Sequence, residues 1–374
     1  MKHVLIIYKF LPHYRVDFYR LLKDSLLEHD ITLHVVHGRS NKQDALKNDE
    51  VAIEWAQYIP NRRYAIRKKE MLWQPCLRQL RGKDLVIVQP ESKLLLNYYL
   101  MLTRHFFSYK LAFWGHVYNM QERTDTWGNK LKFLLLHNCH WWFGYTVGAK
   151  KMLIKRGYPE HKITAVQNAI DTLLLRESYA RIDHSEVTRL KNKLGITGCN
   201  VGVFCGGMYP NKDIDFILES CFRIKKEIPD FHMLFIGAGI ESDKVKKAAA
   251  DAAWIHYLGP RFGVDRIIYF KLSSVQLMPG LVGLCILDSF ALETPIITTE
   301  HPFHSPEIEY LENGTNGLMT KYDVTEYAGA VIEILKTGKY HELVEAGRSA
   351  AEKYTVQNMV GHFKSGILSC LQDS

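Results

Sequence analysis

The sequence predicts an α/β protein built from two Rossmann-like, doubly wound parallel-sheet domains, and three observations carry that prediction. The chain is 374 residues long, more than one hydrophobic core usually serves, so two domains of ordinary size are expected. Short, continuously apolar, β-rich runs alternate with helical stretches over nearly the whole length, as in parallel strands covered on both faces. The composition, 47% hydrophobic and 24% charged, is that of a folded globular chain and excludes a disordered one.

In the first half the expected strands are HVLIIY (3–8), ITLHVVH (31–37), EWAQYI (54–59), DLVIVQ (84–89), KLAFWG (110–115), WWFGYT (141–146) and ITAVQN (163–168). In the second half they are VGVFCG (201–206), HMLFIG (232–237), WIHYLG (254–259), SVQLM (274–278), PIITT (295–299) and GLMT (317–320). The pattern lapses between about 168 and 190, which puts the join near VQNAIDTLLLRESYARIDHSEV. Residues 1–170 then form one domain and 171–354 the other. The last helix, TVQNMVGHFKSGILSCL (355–371), follows a domain that already looks complete, so the segment 355–374 is expected to pack back on the first.

The opening MKHVLIIYKFLPHYR is broken by Lys9 and Pro12 before any small-residue cleavage site, which argues for a core strand over a signal peptide. Apolar runs such as LLLNYYLMLT fall short of the roughly 18 residues that span a bilayer. A cytosolic location is expected. Seven scattered cysteines without a Cys-x-x-Cys pair favour neither a disulfide framework nor a zinc ribbon, and read as reduced, mostly buried thiols. Charge is uneven: residues 1–162 hold 27 Lys+Arg against 14 Asp+Glu, and the remainder is mildly acidic. A basic stretch with interleaved aromatics, NRRYAIRKKEMLW (61–73), suits an anionic membrane surface, nucleic acid or a merely solvated face. No nucleic-acid signature accompanies it.

Ligands of doubly wound sheets bind at the carboxyl ends of the strands. There VGVFCG runs into Gly206-Gly207-Met208-Tyr209-Pro210-Asn211-Lys212, followed by a helix marked by Ile214, Ile217, Cys221 and Ile224 and ended by Pro229. Glycines let backbone approach a ligand, a helix start offers N–H groups to an anion, and Lys212 adds a charge. A second turn, Pro279-Gly280-Leu281-Val282-Gly283-Leu284, opens the helix carrying Asp288. A third helix start lies at Ser305-Pro306-Glu307, with Ser305 as N-cap, and that helix stops at Asn313-Gly314. Three such turns at one edge suit a diphosphate, and Asp288 suits a neighbouring sugar hydroxyl; the plainer alternatives are packing glycines and an exposed polar residue.

These residues resemble retaining glycosyltransferases of family four, with the two-domain GT-B fold. The resemblance rests on GGMYPNKDIDFILES, FIGAG, YLGPR, PGLVGLCILDSFALETPIITT and HSPEIEYLENGTNGL, with FWGHVYN and ITAVQNAIDT in support. It implies a nucleotide-sugar donor on the second domain, an acceptor on the first and a cleft where they meet. It implies donor binding by Gly206, Gly207, Lys212, Arg261, Gly280, Gly283, Leu284, Asp288 and Glu307, with Asp288 on the ribose and Arg261-Phe262 bordering the base. His116 is implied near the reacting sugar and, with Arg15, near the acceptor; His116 and Lys212 are the implied catalytic residues, and Asn168 and Asp171 match the interdomain segment.

Three departures stand out. Gly280 occupies the place of the family's first motif glutamate, and Gly207 that of an arginine beside the phosphate loop. Glu293 stands where relatives often have glycine, and a left-handed backbone there costs about 1 kcal/mol or more. The Pro-Gly-x-x-Gly-Leu form of the motif resembles enzymes of bacterial cell-surface polysaccharide or lipopolysaccharide synthesis. The resemblance implies transfer with retention to a lipid-linked glycan, at the inner face of the membrane, without metal or other cofactor. His137, Cys139 and His140 in HNCHWWFG have a spacing that suits no common metal site. A sugar-nucleotide epimerase of similar fold and a binding subunit without turnover are the alternatives.

Overall fold

The structure, a computed structural model, describes residues 1–40, 50–66, 69–104, 106–117, 137–338 and 340–373. Arg67 and Lys68 of the basic stretch and Tyr118 and Asn119 of FWGHVYN lie outside the described residues. The chain divides into two compact units, Met1–Asn168 with Val356–Ser374, and Ala169–Thr355. Each unit is built on a parallel sheet, and the fold is GT-B.

Strands in the first unit are β1 (Lys2–Tyr8), β2 (Ile31–His37), β3 (Gln57–Tyr58), β4 (Arg62–Ile66), β5 (Lys69–Trp73), β6 (Leu85–Val88), β7 (Lys110–Gly115), β8 (Trp141–Gly144) and β9 (Ile163–Ala165). Seven of them form one parallel sheet ordered β3-β2-β1-β6-β7-β8-β9. The register of β1 on β2 runs from Lys2 opposite Ile31 to Tyr8 opposite His37. These strands are apolar throughout because both faces are covered: Val4, Leu5, Val86, Ile87, Phe113 and Trp142 are inaccessible to solvent. Sequence periodicity overextends EWAQYI, of which only Gln57–Tyr58 pairs.

The basic stretch 61–73 is not a loop. It forms an antiparallel hairpin, β4 on β5, with Arg62 opposite Trp73 and Arg63 opposite Leu72. Arg63 pairs with Glu70 at 2.6 Å. Such a ribbon escapes a search for apolar strands, since so many of its side chains are cationic.

The helix Val356–Gln372 belongs to this first unit. Its Phe363 stacks on Phe143 with ring centroids 4.3 Å apart and meets Trp114 edge-on at 5.0 Å. Near its end, Lys162 pairs with Asp373 at 2.6 Å. Buried aromatic area of this kind ties a terminal helix down.

The second unit contains β10 (Val201–Cys205), β11 (His232–Ile236), β12 (Ile255–Gly259), β13 (Val275–Leu277), β14 (Ile296–Thr299) and β15 (Gly317–Thr320), ordered β12-β11-β10-β13-β14-β15. The segment where the strand pattern lapsed forms two helices, Thr172–Arg181 and His184–Lys193. Asp171 caps the first by accepting from the Leu174 N–H at 2.9 Å, and Asp183 with Glu186 makes a capping box on the second. Ile214, Ile217, Cys221 and Ile224 form the buried stripe of the helix Ile214–Glu227, as their spacing requires.

Among the described residues no helix is long and apolar enough to cross a membrane. All seven cysteines are free; Cys199 is exposed, Cys285 half-buried and the rest buried.

Candidate active site

In the second sheet the chain winds outward in opposite senses from β10 and β13, so the switch point lies between their carboxyl ends. Those ends are Cys205-Gly206 and Met278-Pro279-Gly280. The two glycine turns singled out from sequence therefore lie side by side at one edge of the sheet.

The turn after β10 is held by backbone. The Gly206 N–H donates to the Ile236 carbonyl at 3.0 Å and the Met208 N–H to Ala238 at 3.0 Å. Gly237, with φ +132°, is required there, because a Cβ would strike the Gly206 carbonyl. Lys212 ends the 3-10 turn Pro210–Lys212, and Asp213 follows in the left-handed region at φ +57° before the helix Ile214–Glu227 begins.

The second turn leans directly on the first. The Leu281 N–H donates to the Asn211 carbonyl at 2.8 Å, and the Lys212 ammonium donates to the Leu281 carbonyl. A Cβ at Gly280 would lie 2.6 Å from both the Asn211 oxygen and the Lys212 carbonyl carbon. The absence of a glutamate at this position thus has a steric cause: the neighbouring loop fills the space a side chain needs. At Gly207 a Cβ would meet the Tyr209 ring.

His304 is a residue that sequence reasoning missed. Its Nδ1 accepts from the Val282 N–H at 3.0 Å, while Nε2–H donates to the Thr299 carbonyl at 2.8 Å. Two bonds of opposite sense fix the neutral tautomer. Burial lowers the ring's pKa; the Thr299 bond opposes that, and His301 and Lys212 add to it. The ring therefore pins the 279–284 loop to the end of β14. Its signal in the sequence, a histidine in an irregular loop, is indistinguishable from a surface residue.

The helix Cys285–Ala291 presents Asp288 one turn in. The plainer alternative of an exposed polar residue does not hold, since Asp288 is 7% accessible. Arg266, at the end of the 3-10 turn Gly263–Arg266, grips it with both arms: Nη1 to Oδ2 and Nη2 to Oδ1, each 2.6 Å. Nη1 also lies 3.8 Å from the Cys205 sulfur. Burial would lower the guanidinium's pKa, but the Asp288 carboxylate outweighs it and raises it. For the Cys205 thiol burial dominates and pushes the pKa up to about 11, against Arg266.

Glu307 lies in the 3-10 turn Pro306–Tyr310 and is 3% accessible. The Ser305 N–H donates to the Val282 carbonyl at 2.8 Å, so this third turn abuts the second. The helical segment ends at Tyr310, short of the expected Asn313-Gly314. The Cys285 thiol, raised chiefly by burial, feels Lys212 lowering its pKa and the Asp288 and Glu307 carboxylates raising it. Leu284 is the residue before that helix. Arg261 and Phe262 are exposed after β12, Phe262 by 40%.

The metal-free expectation took the chain to hold no Asp-x-Asp, yet the sequence has one, Asp213-Ile214-Asp215. Its carboxylates part company: Asp213 accepts from the Tyr322 hydroxyl at 2.7 Å and Asp215 pairs with Lys244 at 2.5 Å. His140 Nδ1 accepts from the Leu111 N–H at 2.9 Å. Among the described residues no group of three or more His, Cys, Asp and Glu is placed to hold a metal.

In the first unit the corresponding switch point lies between β1 and β6. Lys9, just past β1, pairs with Glu91, just past β6, at 2.7 Å. His116 follows β7 and keeps part of its surface open to solvent. Its pKa is lowered chiefly by burial of the ring, with Glu91 pulling upward and Lys9 downward. Glu91 and Lys9 were not legible as site residues, because each is an ordinary charge after a strand.

Arg15 departs from expectation. It is 1% accessible, not a surface residue, and its Nη2 donates to the Asn168 side-chain oxygen at 2.5 Å. Nη1 lies 3.5 Å from the Met359 sulfur, and the guanidinium sits 4.9 Å from the Trp114 ring centre and 5.8 Å from that of Tyr145. Cation–π contacts and one amide replace the water it has lost. An acceptor cannot touch this side chain as it lies.

Residues 199–337, the strands and turns just described, match the model of the family Glycosyl transferases group 1. A D-inositol 3-phosphate glycosyltransferase from Acidothermus cellulolyticus is 24% identical over 243 residues, 60% of this chain and 51% of the relative. An uncharacterized glycosyltransferase from Haemophilus influenzae is 22% identical over 229 residues, 59% of each chain. The chain thus spans between half and three-fifths of the length of these curated relatives. Anabaena Alr3699/HepE, solved in complex with UDP, shares the fold with a TM-score of 0.71 at 14% identity, over 99% of this chain and 100% of that one.

Proposed function

We propose that this chain is a glycosyltransferase moving a sugar from a nucleotide-diphosphate sugar, held by the second unit, to a lipid-linked glycan held by the first. The observation that carries the reading is the pair of interlocked glycine turns at the switch point of the second sheet, with Lys212 bonded across them and Asp288 on the helix that follows the second. Its support from relatives is the match of that same segment to the glycosyltransferase model. The UDP in the HepE complex makes UDP-sugars the first donors to test.

Glycosyl transfer builds positive charge at the anomeric carbon and negative charge on the departing diphosphate. Preorganised donors aimed at that diphosphate dominate such chemistry. Lys212 and the backbone amides of Gly207, Gly283 and Leu284 take this role. Asp288 accepts from ribose hydroxyls, Glu307 holds the donor at the third turn, and Arg261 with Phe262 borders the base. His116, kept neutral near pH 7 by the lowering of its pKa, accepts a hydrogen bond from a sugar hydroxyl. Transfer proceeds with retention by attack on the face the diphosphate leaves, the acceptor proton passing to a phosphate oxygen, and uses no divalent ion. Arg15 contributes from within, by fixing Asn168 and the aromatic floor beneath the acceptor edge.

The product serves cell-surface polysaccharide or lipopolysaccharide synthesis, with the basic first unit lying on an anionic membrane face. Labelled UDP-, GDP- and ADP-sugars incubated with an undecaprenyl-linked sugar in anionic vesicles test this. Acceptor-dependent transfer with the α-configuration kept supports it. Acceptor-independent change of the donor sugar marks an epimerase, and an unchanged donor marks a binding subunit; either sinks the proposal.

A further inference from the structure

We infer that Lys9 and Lys93, braced by Glu91 at the carboxyl edge of the first sheet, hold a phosphate group of the acceptor, so that the sugar receiving the transfer is one carried on a phosphate or diphosphate. The inference rests on the reading that the first unit holds the acceptor, and adds the group by which that acceptor is recognised.

The cluster stands at a switch point, where ligands of such sheets bind. Lys9 follows β1 and Glu91 follows β6, the two strands that flank that point. One Glu91 oxygen takes the Lys9 ammonium at 2.7 Å and the other takes Lys93 at 3.2 Å. Burial would raise the carboxyl's pKa, but the two lysines outweigh it and lower it, so the brace stays ionised. An ammonium has three donors; each lysine gives one to Glu91 and keeps two for a ligand. Lys9 is fixed in place, because its N–H donates to the Gln89 side chain at 3.1 Å and its carbonyl accepts from Asn61 at 2.8 Å.

His116 borders the same place. A Cβ on Gly115 would lie 2.6 Å from the Pro90 ring, so the loops after β6 and β7 pack without a gap. The His116 ring, whose pKa burial chiefly lowers, feels Glu91 raising it and Lys9 lowering it.

Charge selects the ligand. Behind the cluster the Arg15 guanidinium sits 5.8 Å from the Tyr145 ring centre, which is 6.1 Å from that of His116. Among the described residues Arg15 meets an amide oxygen, a methionine sulfur and aromatic rings but no carboxylate, and a buried charge is weakly screened. Within this group three cations face one carboxylate, a net of two positive charges. A neutral glycan leaves both unmatched and a single carboxylate leaves one, whereas a phosphate monoester or a diphosphate diester matches both. Lysine binds such groups as a point charge, without the planar fork that would favour a carboxylate.

The test measures dissociation constants by calorimetry for glucosyl- and N-acetylglucosaminyl-diphospho-farnesol, the matching farnesyl glycosides without phosphate, and inorganic pyrophosphate. The proteins are the wild type, Lys9→Gln with Lys93→Gln, the same pair with Glu91→Gln added, and Lys212→Gln at the donor edge. The triple variant leaves no carboxylate without its partners, which protects folding if the double variant is unstable. The wild type is expected to bind the better diphosphate probe at least tenfold more tightly than its phosphate-free match. That ratio falls to threefold or less in both cluster variants and is kept in Lys212→Gln. A wild-type ratio near one, a ratio kept in a folded cluster variant, or a ratio lost in Lys212→Gln overturns the inference. Pyrophosphate bound as tightly as the lipid-linked probe, and lost in the cluster variants, marks a free-anion site and overturns the assignment to the acceptor. Failure of the diphosphate probes and the glycosides alike to bind the wild type overturns the acceptor reading itself, and is a distinct result.

Discussion

At the edge of the second sheet the cation Arg266 meets a carboxylate through both arms at 2.6 Å. At the edge of the first sheet Arg15, buried more deeply still, meets aromatic rings, an amide oxygen and a methionine sulfur, and among the described residues no carboxylate. The two arginines show two ways of keeping a charge out of water. The first fixes the orientation of the carboxylate on which the proposed donor site depends. The second fixes only its own surroundings, Asn168 at the end of the first unit and Met359 in the helix that returns to it.

That contrast has consequences that mutation can break. Asp288→Ala leaves the Arg266 charge enclosed without a partner and should cost about 3 kcal/mol, lowering the unfolding midpoint in denaturant and removing nucleotide affinity together. Arg15→Ala removes a buried side chain and its hydrogen bond to the Asn168 oxygen, again at about 3 kcal/mol. Its signature is different: calorimetry should find nucleotide affinity in the second unit unchanged. If Arg15→Ala abolished nucleotide binding in a folded protein, the separation drawn between the two edges would fail.

Gly280→Ala sharpens the account of the glycine crevice. Its Cβ would sit 2.6 Å from neighbouring backbone, so the loops must part, at a cost of about 2 kcal/mol. Nucleotide affinity should fall at least tenfold although no ligand-touching side chain is changed; wild-type affinity would show that the two turns are not interlocked as described.

His304 gives the same loop a pH dependence. Its pKa is lowered in the folded state, so its contribution is full above the ordinary histidine value of about 6.5 and is lost as pH falls through the lowered folded value. The loss should amount to about 1 kcal/mol. The protection factor of the Val282 amide, its exchange rate by NMR corrected for the intrinsic rate at each pH, should fall between pH 7 and pH 5 in the wild type and be low and unchanged over that range in His304→Ala.

The smallest effect is expected at Glu293. It adopts φ +56°, the left-handed conformation anticipated for a residue in a glycine-like place, and its side chain pairs with Arg348 at 2.7 Å on a partly exposed surface. Glu293→Gly relieves about 1 kcal/mol of backbone strain and gives up an ion pair of similar or smaller worth. Thermal melting should move by no more than a few degrees in either direction.

These residues also mark what the sequence makes legible. Parallel strands covered on both faces announce themselves as unbroken apolar runs, so HVLIIY, ITLHVVH, KLAFWG and HMLFIG coincide with β1, β2, β7 and β11 to within a residue. The β4–β5 hairpin escaped because its cross-strand partners are mostly cationic or mixed. Glycine turns were legible because backbone geometry restricts which residues fit. Arg266, His304, Glu91 and the burial of Arg15 were not, since each depends on what lies opposite in space, tens of residues away in sequence. Asp288 was singled out by type and place, while the arginine paired with it stayed invisible.

The most direct test of the central claim is thermal stabilisation of the purified protein by UDP-, GDP- and ADP-sugars, with Asp288→Asn measured alongside. A ligand that binds only the folded state raises stability with the logarithm of its concentration over its dissociation constant. A midpoint rise of several degrees for one nucleotide class, lost in folded Asp288→Asn, is the predicted result. No rise for any nucleotide-sugar, or an equal rise in Asp288→Asn, would contradict a donor site built around Asp288.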